Sequence, residues 1–132
     1  MGYILYHKCK KGITTLAKFE VEYFERQDGS IPVEEFLLSQ DLKMRAKIYR
    51  LLSLLEEFGN TLREPYSKSL ENGIFEIRAK QGTDISRVLY FFVVGQKIIL
   101  TNGFVKKTRK TPVEEIALAK KYRKDYEDRR EI

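Results

Sequence analysis

The sequence predicts an α+β domain in which a pair of helices covers an antiparallel sheet and a last helix closes the chain. Three observations carry that prediction. Apolar residues alternate with charged ones from Leu16 to Phe24, the period of a half-buried strand. Met44, Ile48, Leu51, Leu52, Leu55 and Phe58 then recur at helical spacing. Between Ile74 and Val105 three strand-like runs follow one another through short connections, which favours an antiparallel meander.

With 132 residues the chain has room for one domain, and 42% apolar content with eight Phe and eight Tyr excludes a disordered chain. Residues 1–15 show no sustained period and read as an N-terminal extension, with residues 16–132 as the single domain. His7 and Cys9 lie two apart in that extension, too few ligands for a metal site, so no metal or cofactor is expected. Cys9 is the one cysteine, which excludes an internal disulfide and suits a reducing cytoplasm. The lysines after Tyr3–Tyr6 reverse the order of a signal peptide, and no apolar run approaches the roughly 20 residues of a membrane span. A cytoplasmic protein without a membrane partner is therefore expected.

Within the domain, Ala17, Phe19, Val21 and Tyr23 form the inward side of the first strand, and Asp28-Gly29-Ser30 turns the chain. Pro32 opens a short helix capped by Ser30 or Ile31, with Val33, Phe36 and Leu37 inward. The second helix ends at Gly59, and the two helices form a hairpin. Asn60 to Gly73 reads as loop. Ile74–Lys80 alternates Phe75, Ile77 and Ala79 with Glu76, Arg78 and Lys80. Ile85–Val94 is apolar nearly throughout, with Arg87 the exception near its start, and Val88 to Val94 is apolar on both faces, so both faces need a cover. Lys97–Val105 completes the meander after the Gly95-Gln96 turn. The last helix, from Pro112 to about Arg130, has a narrow apolar stripe and Thr111 and Glu114 placed for a capping box, and it is expected to fray or to dock on a partner.

Charge is unevenly placed. The net formal charge is +6, yet residues 74–112 carry eight cations against two acids, while residues 16–58 carry nine acids against six cations. A basic portion of this kind points to a polyanionic partner. Its densest part is the loop GFVKKTRKTP, Gly103 to Pro112, in which Lys106, Lys107, Arg109 and Lys110 sit between a strand end and a helix start, held where they can face phosphates. The chain has no glycine-rich phosphate loop, no GxSxG elbow and one histidine, which excludes imidazole-pair catalysis. What remains is a set of cations and phenols on the meander: Arg78, Lys80, Arg87, Tyr90, Lys106, Lys107 and Arg109. If Arg78 on the edge strand, Arg87 at the head of the middle strand and the loop after the last strand converge, they can bind phosphate and offset the charge of a phosphorane-like transition state. Composition leaves phosphate binding without chemistry equally open.

The run Leu70 to Tyr126 resembles the phage-derived, HigB-like branch of the RelE/ParE toxin superfamily of bacterial type II toxin–antitoxin systems. The most specific pieces are FEIR (Phe75 to Arg78), SRVLYFF (Ser86 to Phe92) and GFVKKTRKTP with its following Glu-Ile. SIPVEEFL (Ser30 to Leu38) and LLEEFG (Leu54 to Gly59) extend the likeness upstream. The resemblance implies helices packed on a curved antiparallel sheet. It implies a ribosome-dependent endoribonuclease, an mRNA interferase that cleaves messenger in the decoding site. It also implies a cognate antitoxin partner with a helix-turn-helix DNA-binding domain. By motif position it implies Arg78, Arg87, Lys106, Lys107 and Tyr90 as catalytic residues, with Lys80, Arg109 and Lys110 as RNA or ribosome contacts. Tyr90 fits the core equally well, and Tyr66 reads as a loop aromatic packed on the sheet. Related toxins that use histidine, or a C-terminal acid and tyrosine, have no counterpart here, which leaves the general acid and base open. Two rival readings remain: a ParE-like toxin that inhibits a topoisomerase by binding, and a catalytically silent nucleic-acid-binding member.

Overall fold

The computed structural model describes residues 18–105 and 109–130. The N-terminal extension and the loop residues Lys106 and Lys107 lie outside the described residues. The chain runs β1 (Glu20–Tyr23), α1 (Pro32–Leu38), α2 (Leu42–Phe58), a 3-10 turn (Gly59–Thr61), β2 (Ser67–Glu71), β3 (Ile74–Gln81), β4 (Asp84–Val93), β5 (Lys97–Val105) and α3 (Val113–Arg130).

Helix starts follow from short polar residues and proline. Ile31 precedes Pro32 at the first position of α1, and the Asp41 carboxylate caps α2 by accepting from the Met44 N–H at 2.8 Å. At the end of α2, Gly59 adopts φ +53°, and a Cβ there would lie 2.1 Å from Cε1 of Phe19. Only glycine lets the chain turn so close under that ring. Among the described residues the first strand covers Glu20–Tyr23, shorter than its alternation predicts. The end of α2 holds its start, the N–H of Phe19, just before the strand, donating to the Glu56 carbonyl at 3.0 Å and that of Val21 to the buried Glu56 carboxylate at 3.1 Å.

The five strands form one sheet in the order β1-β5-β4-β3-β2. The meander from β3 to β5 is antiparallel as expected, whereas β1 joins β5 in parallel, with Glu20 opposite Lys97 and Tyr23 opposite Leu100. A parallel neighbour needs a long crossover, and the hairpin plus three strands between β1 and β5 supply it. The segment expected to be loop, 60–73, contains β2, so β3 is an inner strand along its first half and Arg78 does not sit on the sheet's edge strand. β2 reads SKSLE, with only Ser67 buried. Such a strand shows no apolar period and is held by the unsatisfied outer edge of β3.

Both faces of β4 are covered, as its apolar run requires. On one face Val33, Leu37, Ile48, Leu52 and Leu55 of the hairpin pack against Ile77, Val88, Ile98 and Leu100. On the other, Leu89, Phe91 and Ile99 meet Phe24 and the Ala119 and Tyr122 stripe of α3. The narrow stripe of α3 thus docks on the chain's own sheet, helped by polar ties from Lys120 to Glu71 and from Arg123 to the Asn72 carbonyl.

Candidate phosphate-binding site

The α3 face of the sheet carries a polar cluster at one end. Along β3, Ile74, Glu76, Arg78 and Lys80 share that face by the two-residue period of a strand. Glu76 is fully buried, where a carboxylate is tolerated only with its oxygens bonded. Oε2 accepts from Arg78 Nε at 2.6 Å, Oε1 accepts from the Thr111 hydroxyl, and Arg87 Nη1 lies 4.0 Å from Oε1. Arg87 Nη1 also donates to the Thr111 oxygen at 3.3 Å. Arg78 and Arg87 are direct Cα partners across β3 and β4, and Arg87 is opposite Phe104 on β5. The register therefore sets the later half of β3, the head of β4 and the exit of β5 abreast, which brings the two predicted arginines together.

The two guanidiniums differ in access. The Arg87 side chain is 3% exposed and that of Arg78 25% exposed, so Arg78 is the one that reaches solvent. Two cations around one carboxylate leave the cluster one positive charge in excess, in a partly dry setting where an added phosphate gains more than it would in water. Lys80 lies two residues beyond Arg78 and is exposed, as are Arg109 and Lys110 in the bend before α3. Thr111 anchors the far end of the basic loop, and Val105, paired with Ser86, anchors the near end.

Thr111 is not the helix cap its spacing predicts, because its hydroxyl is spent on Glu76. The first turn of α3 is fixed instead by Asn102, whose Nδ2 donates to the Glu115 carbonyl at 3.2 Å and to its carboxylate at 2.9 Å.

Tyr90 is placed differently from the role implied for it. It faces the helical hairpin, on the other side of the sheet from Glu76 and Arg87, and is 1% exposed. Its ring stacks on Phe75 at 5.5 Å, its hydroxyl shares a hydrogen bond with Ser67 at 2.5 Å, and burial pushes its phenol up to about 12. A phenol so placed is core and has no route to a substrate on the α3 face. Tyr66, next to the start of β2, is 46% exposed.

Glu76 and Thr111 are the site residues that the sequence reading missed. Alternation puts Glu76 on the strand's charged side and does not reveal that α3 covers it. The available signal was that two arginines, Arg78 and Arg87, flank it on strands whose other neighbours are apolar.

Among the described residues no group of three His, Cys, Asp or Glu is arranged to hold a metal, and no helix is long and apolar enough to cross a membrane. The sequence model of a family described as "Phage derived protein Gp49-like (DUF891)" matches residues 35–124. No curated protein matches. Among solved structures, the archaeal RelE–RelB complex from Pyrococcus horikoshii OT3 is similar at 18% identity, over 70% of this chain and 99% of that one, with a TM-score of 0.49.

Proposed function

Since the chain belongs to the phage-derived Gp49-like family, the HigB-like branch to which its motifs point, we propose that it is the toxin of a type II toxin–antitoxin system and acts as a ribosome-dependent mRNA endoribonuclease. The observation that carries this reading is the pairing of Arg78 with Arg87 over the buried carboxylate of Glu76, at the sheet end from which the basic loop departs. Two guanidiniums around one carboxylate carry a net positive charge, which supports binding of a singly charged phosphodiester.

In the proposed reaction the messenger's 2′-oxygen attacks the adjacent phosphorus as Lys106 or Lys107 assists its deprotonation. The phosphorus–5′-oxygen bond breaks, leaving a 2′,3′-cyclic phosphate, and the departing 5′-oxygen takes up a proton. Arg78 and Arg87 balance the charge that builds on the phosphoryl oxygens, and Lys80, Arg109 and Lys110 hold flanking phosphates. The cognate antitoxin, a helix-turn-helix protein, and the ribosome with its messenger are the proposed partners, in the cytoplasm.

The test is to map messenger ends after induced expression, with the native chain and with Lys106→Ala/Lys107→Ala. Cuts confined to translated frames and lost in the double variant are the expected result. Intact messenger accompanied by DNA-damage signalling would overturn the reading in favour of topoisomerase inhibition.

A further inference from the structure

The edge of the sheet has a step in it. β2 stops at Ser67, opposite Ile77, whereas β3 runs on to Gln81. The last bond across this edge runs from the Arg78 N–H to the Tyr66 carbonyl at 2.9 Å, and beyond it no described strand covers the outer side of β3. A groove of about 600 Å³ opens there between β3, the Pro65-Tyr66 bend and α2. Leu51, Leu54, Ala79 and Ile85 give it an apolar floor, and Lys47, Arg50, Arg78 and Lys80 line it with four cations and no acid.

An apolar floor alone would accept any apolar partner. The cations narrow the choice: Arg78 is paired with Glu76, but Lys47, Arg50 and Lys80 have no carboxylate in the lining and favour a partner that brings negative charge with its flat or apolar surface. Tyr66 narrows it further, since its ring stands 46% exposed at this groove. An aromatic platform beside a basic track is the physical solution for single-stranded nucleic acid, in which every base has a face to stack and every nucleotide a phosphate. The Lys47 ammonium spends one donor on the Lys80 carbonyl at 2.6 Å and keeps the others for a phosphate. Continuity points the same way. Arg78 and Lys80 belong both to the groove and to the arginine face, so a strand leaving Arg78 rounds the exposed edge of β3 at Lys80 and enters the groove.

We propose that this groove is a subsite for single-stranded RNA, where a nucleotide flanking the scissile one stacks its base on Tyr66 and rests its phosphates on Lys47, Arg50 and Lys80. The assignment of that nucleotide as flanking rests on the nuclease reading, whereas RNA binding in the groove is measurable without cleavage.

The probe is a short single-stranded 2′-O-methyl RNA containing 2-aminopurine, whose blocked 2′-oxygen cannot attack. The native full chain is expected to bind it and to quench the 2-aminopurine by stacking. Tyr66→Ala is expected to weaken binding about tenfold and to abolish the quenching, while Tyr66→Phe keeps both. Arg50→Ala is expected to weaken binding and to flatten its salt dependence. These side chains are exposed enough for the variants to fold, which circular dichroism checks. Equal affinity and quenching in native, Tyr66→Ala and Arg50→Ala chains would overturn the subsite. So would a groove that takes an acidic amphipathic peptide, with that binding lost in Tyr66→Ala, but not the RNA. Mapped messenger cuts separate the two claims. A chain that cuts messenger while its groove variants bind the probe like the native protein sinks the subsite alone, and one that binds through the groove yet never cuts sinks the nuclease reading alone.

Discussion

The Thr111 hydroxyl sits between Glu76 and Arg87, donating to the Glu76 carboxylate and accepting from Arg87 Nη1 at 3.3 Å. One side chain thereby ties the end of the basic loop, the buried carboxylate of β3 and the buried guanidinium of β4 into a single arrangement. Arg109 and Lys110, the described cations of the loop, lie in the bend next to this tie.

Removing that hydroxyl without changing shape is the direct check. Thr111→Val leaves Glu76 Oε1 short of a donor, so it is expected to cost about 1–3 kcal/mol in urea unfolding and to reduce messenger cleavage. Thr111→Ser keeps the donor and is expected to restore both. A Thr111→Val chain as active as native would show that the loop holds its position without this bond.

Glu76→Ala is a harsher change. It takes the carboxylate from Arg78 and from the nearly inaccessible Arg87, and breaking a buried pair from one side costs about 3–5 kcal/mol. The urea midpoint is expected to fall with an unchanged slope. A loss below about 1 kcal/mol would mean that the carboxylate is not what compensates the buried guanidinium.

Tyr90 gives a pH prediction with a defined sign. Its phenol is held up at about 12 in the fold, chiefly by burial, against an ordinary value of 10.0. Between those values the unfolded chain releases the proton first, so stability is complete below pH 10 and falls as pH rises toward 12. Two units correspond to roughly 2–3 kcal/mol at most. Tyr90→Phe is expected to remove this alkaline slope and, since the ring is core, to leave messenger cleavage intact. Cleavage lost in a folded Tyr90→Phe chain would return Tyr90 to the catalytic list.

The elements that periodicity reveals were legible in the sequence: α2 from its six apolar positions, β4 from its unbroken apolar run, and the meander from its short turns. β2 was not, because an edge strand of serine, lysine and glutamate is held by its neighbour's backbone and by little of its own side-chain pattern. The pairing of Arg78 with Arg87 followed from convergence at one end of the meander. The residue between them did not, because alternation tells which side of a strand Glu76 occupies and says nothing of what covers that side. Tyr90 shows the same limit from the other direction. A phenol in a family motif reads as chemistry until the register sets it against Phe75 and Ser67, under the helices.

The last prediction separates chemistry from binding at Arg87. Its side chain is 3% exposed, with Nη1 on Thr111 and 4.0 Å from Glu76, so it is held rigidly beside the more accessible Arg78. Arg87→Lys keeps the charge but replaces a planar fork by a point charge, which cannot hold two oxygens in one plane. If Arg87 acts on the phosphoryl oxygens, the contact strengthens as charge builds on them. Cleavage by the variant is then expected to slow about tenfold or more, equivalent to about 1.4 kcal/mol. Ribosome affinity is expected to change far less, because Lys80, Arg109 and Lys110 are exposed and still supply the long-range attraction. Measured together in a translating extract, a drop in cleavage with affinity preserved assigns Arg87 to the reaction. A parallel loss of both, or a variant as fast as the native chain, would leave Arg87 as the structural counter-ion of Glu76 and place the chemistry on Arg78 and the loop.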